Sequence, residues 1–321
     1  MNTPRSKFEI INEMMSKENN KLTITDLCNI AGVSRSGYYR WLNSADKRKE
    51  RDEQDRRDFK LILEAYYHRG YKKGARSIYM RLLHNNPPVR MNIKKIRRIM
   101  KKFGLFCDIR KANPYKRMQA EMRTNIIADN LVNREFTKYG PRQILLTDIT
   151  YINFGDKRCY LSTILDANTR QVLSYVLSKS LDVDFVLESV NLLVKNHGIS
   201  LESETLIHSD QGCHYTSIKF IEIIRNTGLR QSMSRRGNCW DNAPQESFFG
   251  HMKDEIDLSK CITFEDVKDV IDDWIDYYNS ERYQWELAKL SPDEYYQYVL
   301  SGKYPLPMYS NEKNIIDDNT H

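Results

Sequence analysis

Apolar residues recur every three or four positions through the first hundred residues, then gather from about residue 141 into short runs rich in Val, Ile, Leu and Tyr. The first spacing is that of amphipathic helices, the second that of strands. Three helical stripes occupy 59–106. They are Phe59, Ile62, Leu63 and Tyr66; Ala75, Ile78, Tyr79 and Leu82; and, after the Asn-Asn-Pro-Pro break at 85–88, Ile93, Ile96, Ile99, Met100 and Phe103. Ahead of them, 44–58 mixes both charges without an apolar period and reads as a solvated linker or an exposed helix. The segment 23–43, TITDLCNIAGVSRSGYYRWLN, has the signals of a helix-turn-helix. Thr25 caps a first helix, small Cys28 admits a crossing helix, Gly32 turns the chain, and Ser34 caps a second helix exposing Arg35, Ser36, Tyr39 and Arg40. A plain helical hairpin fits the same residues.

Beyond 141 the runs QILLTDITYINF, KRCYLSTILDANT and QVLSYVLS predict three strands. A helix follows through Val183, Val186, Leu187, Val190 and Leu193, then a strand at TLIHSD, a helix from about 217 to 226 and a strand at RQSMSR. A helix begins at Asn242 or Ala243, and a long amphipathic one covers 264–282 through Val267, Ile271, Trp274, Ile275 and Tyr278. This order predicts an α/β core, a mixed five-stranded sheet with flanking helices, preceded by all-α segments. The tail after 301 reads as frayed.

The 321 residues leave room for about two domains. A content of 40% apolar and 29% charged residues is that of an ordinary folded chain. No apolar run approaches the ~18 residues of a membrane span, and MNTPRSKFEI lacks a signal-peptide core, so a cytoplasmic protein is expected. The six cysteines stand far apart with no C-x-x-C pair, which predicts free thiols and no Cys/His zinc site. No phosphate-binding G-x-x-x-x-G-K-[ST] loop occurs, so no nucleotide cofactor is expected.

The net charge of +7 is unevenly spread: residues 1–120 carry 29 Lys/Arg against 12 Asp/Glu, and residues 121–321 carry 21 against 31. Within 71–120 there are 15 cations and one acid, Asp108. A basic front half predicts a polyanionic partner, most simply nucleic acid, in which case the second helix of the 23–43 motif would enter the major groove. The outer face of the third stripe is Lys94, Lys95, Arg97, Arg98, Lys101 and Lys102, with no Glu interleaved at i,i+4. A second helical DNA-binding unit that contacts phosphates accounts for it better than mere solvation does.

Three acids stand out in the rear half. Asp148 lies inside the apolar strand ILLTDITYI, where a lone carboxylate costs several kcal/mol unless it is paired or bound to a cation. Asp210 ends the strand before HSDQG turns, a position where ligands gather in α/β sheets. Glu246 follows after 35 intervening residues, near the start of a helix. Asp166 reads as a turn residue, while Asp182, Asp184 and Glu188 read as a solvated helix face. His208 and His214 flank Asp210 as supporting rather than metal-ligating groups.

These phrases, T-D-I-T-Y-I, H-S-D-Q-G-x-x-Y-x-S and S-R-R-G-N-C-x-D-N-A-x-x-E-S-F-F, closely resemble the DD(35)E signature of bacterial insertion-sequence transposases of the IS-three group, second-frame type. Lys253, two helical turns after Glu246 and on its face, falls where that family has a basic residue. GARSIYMRL with KKIRRIMKKFGL resembles the family's helical DNA-binding segment, and W-I-D-Y-Y-N-S-E-R-Y with L-S-P-D-E-Y its C-terminal motif. The resemblance implies a ribonuclease H-like core, as in retroviral integrases, that cuts and joins DNA. It implies that Asp148, Asp210 and Glu246 are catalytic and ligate two Mg²⁺ or Mn²⁺ ions. Asp241 and Asn242 would start the helix, and Arg235 and Arg236 would touch the scissile strand.

The implied domains are a helix-turn-helix with charged linker at 1–58, a basic helical DNA-binding domain at 59–120, an integrase core at 135–258, a helical extension at 259–300 and a tail at 301–321. The implied partners are element ends and target DNA, a second copy of the chain, and an upstream-frame product or frameshift fusion with it. The integrase zinc-binding His/Cys domain is replaced here by the helix-turn-helix, and no heptad array precedes residue 58. A hydrolytic nuclease of the same fold and a catalytically idle DNA-binding repressor are the competing functions.

Overall fold

The structure is a computed structural model, and it describes residues 4–71, 73–107, 139–201, 204–234 and 242–307. The chain forms two units, one from the N-terminus to Glu64 together with Arg98–Gly104, the other from Ala65–Arg97 and Leu105 onward. No described helix is long and apolar enough to cross a membrane.

The first unit opens with α1 (Pro4–Met15), α2 (Ile24–Ala31) and α3 (Arg35–Asn43). The helix α1 has no counterpart in the sequence reading; its Phe8, Ile11 and Met14 close a core with Leu27, Cys28, Tyr38 and Trp41. Thr23 caps α2, not Thr25. Its hydroxyl accepts from the Asp26 N–H at 3.2 Å while the Asp26 carboxylate accepts from the Thr23 N–H at 3.0 Å. The reciprocal box needs an acid three residues on, and Thr25 has Cys28 there. Gly32 closes α2 in the left-handed conformation at φ 63°, and the Ser34 hydroxyl caps α3 by accepting from the Gly37 N–H.

A single helix, α4 (Ala45–Tyr67), covers the charged stretch, so the exposed-helix reading of 44–58 holds and the linker does not. Nor is this stretch only solvated. Asp55 is 2% exposed and accepts from both Arg98 guanidinium nitrogens, at 2.7 and 2.6 Å, and from Lys102 at 2.8 Å. The Arg98 hydrogen bonds hold its carboxyl well below the usual carboxylate range. Phe59 stacks on Phe103 at 4.3 Å between ring centroids.

The second unit begins with α5 (Ala75–Leu83), and α6 (Ile93–Lys102) starts in it. Its centre is a five-stranded sheet of β1 (Ile144–Phe154), β2 (Lys157–Asp166), β3 (Val172–Ser178), β4 (Leu206–Ser209) and β5 (Arg230–Met233), in the order β3-β2-β1-β4-β5. The first three strands are antiparallel, while β4 runs parallel to β1 and β5 parallel to β4. This is the ribonuclease H-like arrangement. Alternation along β1 divides the core in two. Ile144 and Leu146 pack with α9 (Ala243–Glu255) and α10 (Phe264–Ser280) through Phe248, Met252, Ile271 and Trp274. Leu145 packs on the other face with α7 (Val183–His197) and α8 (Ile218–Asn226) through Val186, Val190, Leu193 and Phe220. The last helix is α11 (Pro292–Ser301).

Two features brace this sheet. Asp166, fully buried, accepts from the Arg142 N–H and guanidinium, both at 2.9 Å, and from the Asn168 N–H, which is the turn role its sequence suggests. The end of α10 clamps its surroundings: Asn279 exchanges two 2.9 Å bonds with the Val172 backbone, and Arg282 pairs with Glu255, the last residue of α9, at 2.8 Å. Arg69 joins Asp273, Asp276 and Glu281 at 3.0, 3.1 and 2.8 Å. Cys28, Cys159, Cys213 and Cys261 are free thiols.

Candidate active site

Asp148 sits on the central strand β1, opposite Thr163 of β2. The parallel register of β1 with β4 pairs Leu146 with His208, and the same offset continued two residues sets Asp210 level with Asp148. Asp210 follows β4 directly, where the chain leaves the sheet. The Gly212 N–H donates to its Oδ1 at 2.8 Å, and a Cβ at 212 would lie 2.8 Å from that oxygen, so glycine is required for the turn to close around the carboxylate. Glu246 lies in the first turn of α9, exposed, where the helix dipole favours a negative charge.

The side chain preceding Glu246 fixes this helix end. Gln245 is fully buried and donates through Nε2 to Thr163 Oγ1, the residue paired with Asp148 across the ladder. Sequence reasoning passed over Gln245. The only signal was a polar residue in a helix turn otherwise committed to the core.

The electrostatics tie the three acids together. Burial raises the Asp148 carboxyl to about 7, helped by the negative charges of Asp210 and, less strongly, Glu246; the Ile149 N–H and Lys253 act the other way. Asp210 belongs to an exposed residue, but the protein crowding its carboxyl raises its pKa too, against the Gly212 hydrogen bond and the charge of His214. Beneath them the buried Tyr215 hydroxyl is held well above its usual range by burial and by the charges of both Asp148 and Asp210. An all-oxygen donor set under mutual repulsion suits a hard divalent cation, which would relieve that repulsion. Among the described residues no three His, Cys, Asp or Glu side chains are gathered closely enough to form a metal shell on their own. His208 binds Ser232 Oγ at 2.9 Å and His214 faces the Leu181 carbonyl at 3.1 Å, in keeping with supporting roles.

Lys253 projects from α9 on the Glu246 side. Its Nζ donates to Thr150 Oγ1 at 2.5 Å and lies 4.7 Å from the Tyr151 ring centroid. Glu246 and Lys253 line one cleft of about 650 Å³ with Tyr151, Asn153, Phe249 and Gly250.

The remaining cations divide. Arg35, Tyr39 and Arg40 are exposed on α3, as are Lys94, Arg97 and Lys101 on α6, with Lys95 half-buried. Arg98 and Lys102 correct the expectation of a helix face without acids. The acids come from α4: Asp55 takes both head groups, and Asp52 also takes Lys102 at 2.6 Å. Period within one helix cannot show a partner on another. Arg235, Arg236 and Asp241 lie outside the described residues.

A sheet of this order, with one acid within its central strand, one just past the end of the parallel strand beside it and one on the helix after the last strand, defines an integrase-type core. The integrase core domain family matches residues 138–239, a second integrase core family matches 227–292, and an HTH-like domain family matches 53–113. A transposase-like protein of Haemophilus influenzae is 38% identical over 209 residues, covering 64% of this chain and 94% of its own length. The transposase InsK of insertion sequence IS150 from Escherichia coli is 30% identical over 273 residues, covering 85% of this chain and 93% of its own. Among solved structures, the HTLV-2 integrase catalytic core aligns with 49% of this chain and 97% of its own at 15% identity and a TM-score of 0.38. The chain belongs to the IS3-type insertion-sequence transposases, and its function is that of a transposase with an integrase-like core.

Proposed function

We propose that Asp148, Asp210 and Glu246 are the catalytic carboxylates of metal-dependent DNA strand cleavage and strand transfer, and that they hold two Mg²⁺ or Mn²⁺ ions. The observation that carries this reading is the strand register that sets Asp210 level with Asp148, with Glu246 on the helix lining a cleft of about 650 Å³. Such cations, when bound, activate the attacking oxygen and stabilise the leaving 3′-oxygen. The chain's own part is positioning. β1 and the turn after β4 set Asp148 and Asp210 side by side, Gln245 pins the start of α9 so that Glu246 faces the cleft, and Lys253 holds the DNA backbone there. Exchange of one phosphodiester for another conserves bond number and needs no nucleotide cofactor.

Arg35, Tyr39 and Arg40 of α3, and Lys94, Lys95, Arg97 and Lys101 of α6, are proposed to bind the element ends as two separate contacts. The domain division is proposed as in the sequence reading, with α4 bridging the boundary set there at 58. Joining two ends calls for a homo-oligomer on DNA, in the cytoplasm. An upstream-frame product is a further partner for end binding.

The test is cleavage and joining of labelled duplexes carrying the terminal repeats that flank the gene, with Mg²⁺ or Mn²⁺. Wild type is expected to give joined product and Glu246→Gln none. Equal activity of the two would overturn the assignment, and cleavage without joining would make the chain a nuclease.

A further inference from the structure

Tyr151 is 46% exposed, three residues beyond Asp148 on β1, and it lines the cleft with Glu246 and Lys253. Two cations lie over its ring. Lys253 Nζ is 4.7 Å and Arg158 Cζ 4.8 Å from the centroid. Each has a second tether: Lys253 donates to Thr150 Oγ1, and Arg158 Nε donates to Asn153 Oδ1 at 3.0 Å. Asn153 also lines the cleft and is the cross-strand neighbour of Arg158. Arg158 is exposed and forms no ion pair among the described residues, whereas Arg98, Arg69 and Arg282 each meet a carboxylate.

An aromatic face and an amide oxygen hold a guanidinium in place without neutralising it. The hairpin between β1 and β2 does not need this arrangement, since ten cross-strand pairs already fix its register. What the arrangement achieves is a pre-positioned fork of N–H donors on a guanidinium that meets no carboxylate among the described residues, on the same aromatic ring as Lys253. A guanidinium so held matches a phosphate, which it binds through two parallel hydrogen bonds.

We propose that Arg158 is a DNA-phosphate contact: braced by Tyr151 and Asn153, it grips with Lys253 the backbone of the strand that lies in the Glu246 cleft. The inference rests on the reading of that cleft as the place where DNA reacts. Its test is one of binding, so it fails or stands apart from catalysis.

The experiment uses the full chain without metal and a fluorescent duplex of about 30 base pairs of arbitrary sequence, titrated between about 50 and 200 mM salt, because phosphate contacts are sequence-independent and salt-sensitive. Arg158→Ala is expected to weaken binding about fivefold and to lower the slope of log affinity against log salt by about one. Arg158→Lys should keep most of the affinity. Tyr151→Leu should lose about as much as Arg158→Ala, Tyr151→Phe should lose nothing, and adding Tyr151→Leu to Arg158→Ala should cost little more. Arg225→Ala removes an exposed charge from α8, on the opposite face of the sheet, and should leave the slope unchanged. Unchanged affinity and slope in Arg158→Ala would overturn the proposal, and so would an equal loss in Arg225→Ala, which would reduce the effect to net charge. Glu246→Gln is assayed separately, for joining. If it still joins DNA while Arg158→Ala binds weakly, only the catalytic reading falls.

Discussion

Glu255, Asp273 and Glu281 each meet an arginine, at 2.8, 3.0 and 2.8 Å, around the end of α10. In the same unit Asp148 faces chiefly the charges of Asp210 and Glu246, with Lys253 a lesser counterweight. Both clusters are acidic, and each has members withdrawn from water, Glu255 and Glu281 in the first and Asp148 in the second. In the first, every charge is answered by a side chain of the same unit, and the result is rigidity. In the second, the charges of Asp210 and Glu246 act against that of Asp148, which folding alone would not favour. A chain keeps such an arrangement where something from outside completes it.

The largest expected effect comes from removing a charge in the second cluster. Asp148→Asn is expected to lower strand transfer about 1000-fold or more, because the central carboxylate of the set is gone, while leaving the fold intact. A gel assay for joined product reads the first, and a far-ultraviolet spectrum the second. Loss of the fold together with activity would place Asp148 among the structural acids and erase the contrast.

Next is the answered cluster, where the same kind of substitution should act on stability. Arg282 has a side-chain exposure of only 14% and donates to Glu255 at 3.0, 3.1 and 2.8 Å. Arg282→Met leaves Glu255 half-buried without its cation and is expected to cost about 3 kcal/mol in urea unfolding. Glu255 also accepts from Trp274 Nε1 at 3.1 Å, so the α9–α10 contact should loosen with it. A cost below about 1 kcal/mol would mean that the pair is screened as a surface pair is, and that the two clusters differ less than their geometry suggests.

The contrast also has a pH signature. A carboxyl with a folded pKa of about 7 against 3.8 in the unfolded chain binds its proton more tightly when folded. The stability this one carboxyl contributes is therefore fully present below about pH 4 and is lost as pH rises through about 7, the reverse of an ion-paired acid such as Asp55. Burial also lowers the pKa of His197 and His251, which works in the opposite sense at acid pH, so the comparison is best made against Asp148→Asn. Without metal, this variant should melt well above wild type at pH 8, and the gap should narrow as pH falls and close only near pH 4. Added Mg²⁺ should raise only the wild type. Equal melting at pH 8 would show that the three acids coexist at no cost.

The sequence made one cluster far more legible than the other. Asp148 and Asp210 announce themselves because a carboxylate inside an apolar strand, or at a strand end before Gly212, breaks the local pattern, whereas Glu246 stands out only through the resemblance of its phrase to the family signature. The strands and the helices from α7 to α10 follow from period and turn residues, and they form at the expected places. Pairings that depend on distant segments left no local trace. Asp55 looked like one charge among many in 44–58 until Arg98 and Lys102 came to it from α6. Gln245 needed Thr163, and Glu255 needed Arg282 from beyond α10. Thr23 and Thr25 both precede a short apolar run, and only the acid at Asp26, three residues on, marks Thr23 as the cap.

The smallest effect is the one that separates pairing from burial. Lys219 and Asp184 form an ion pair between α8 and α7 at 3.0 Å, as short as several contacts around Arg69 and Arg282, but their side chains are 65% and 75% exposed. Water screens both charges whether or not they meet, and holding two long side chains together costs entropy that offsets the attraction. Lys219→Ala is therefore expected to change urea unfolding by less than about 0.5 kcal/mol, a small fraction of the Arg282→Met effect. If the two substitutions cost the same, distance rather than withdrawal from water governs these pairs, and the repulsion among Asp148, Asp210 and Glu246 loses its special standing. If they differ as expected, charge alone is a weak guide in this chain, and an acid tells of function only where it is withdrawn from water and left facing its own kind.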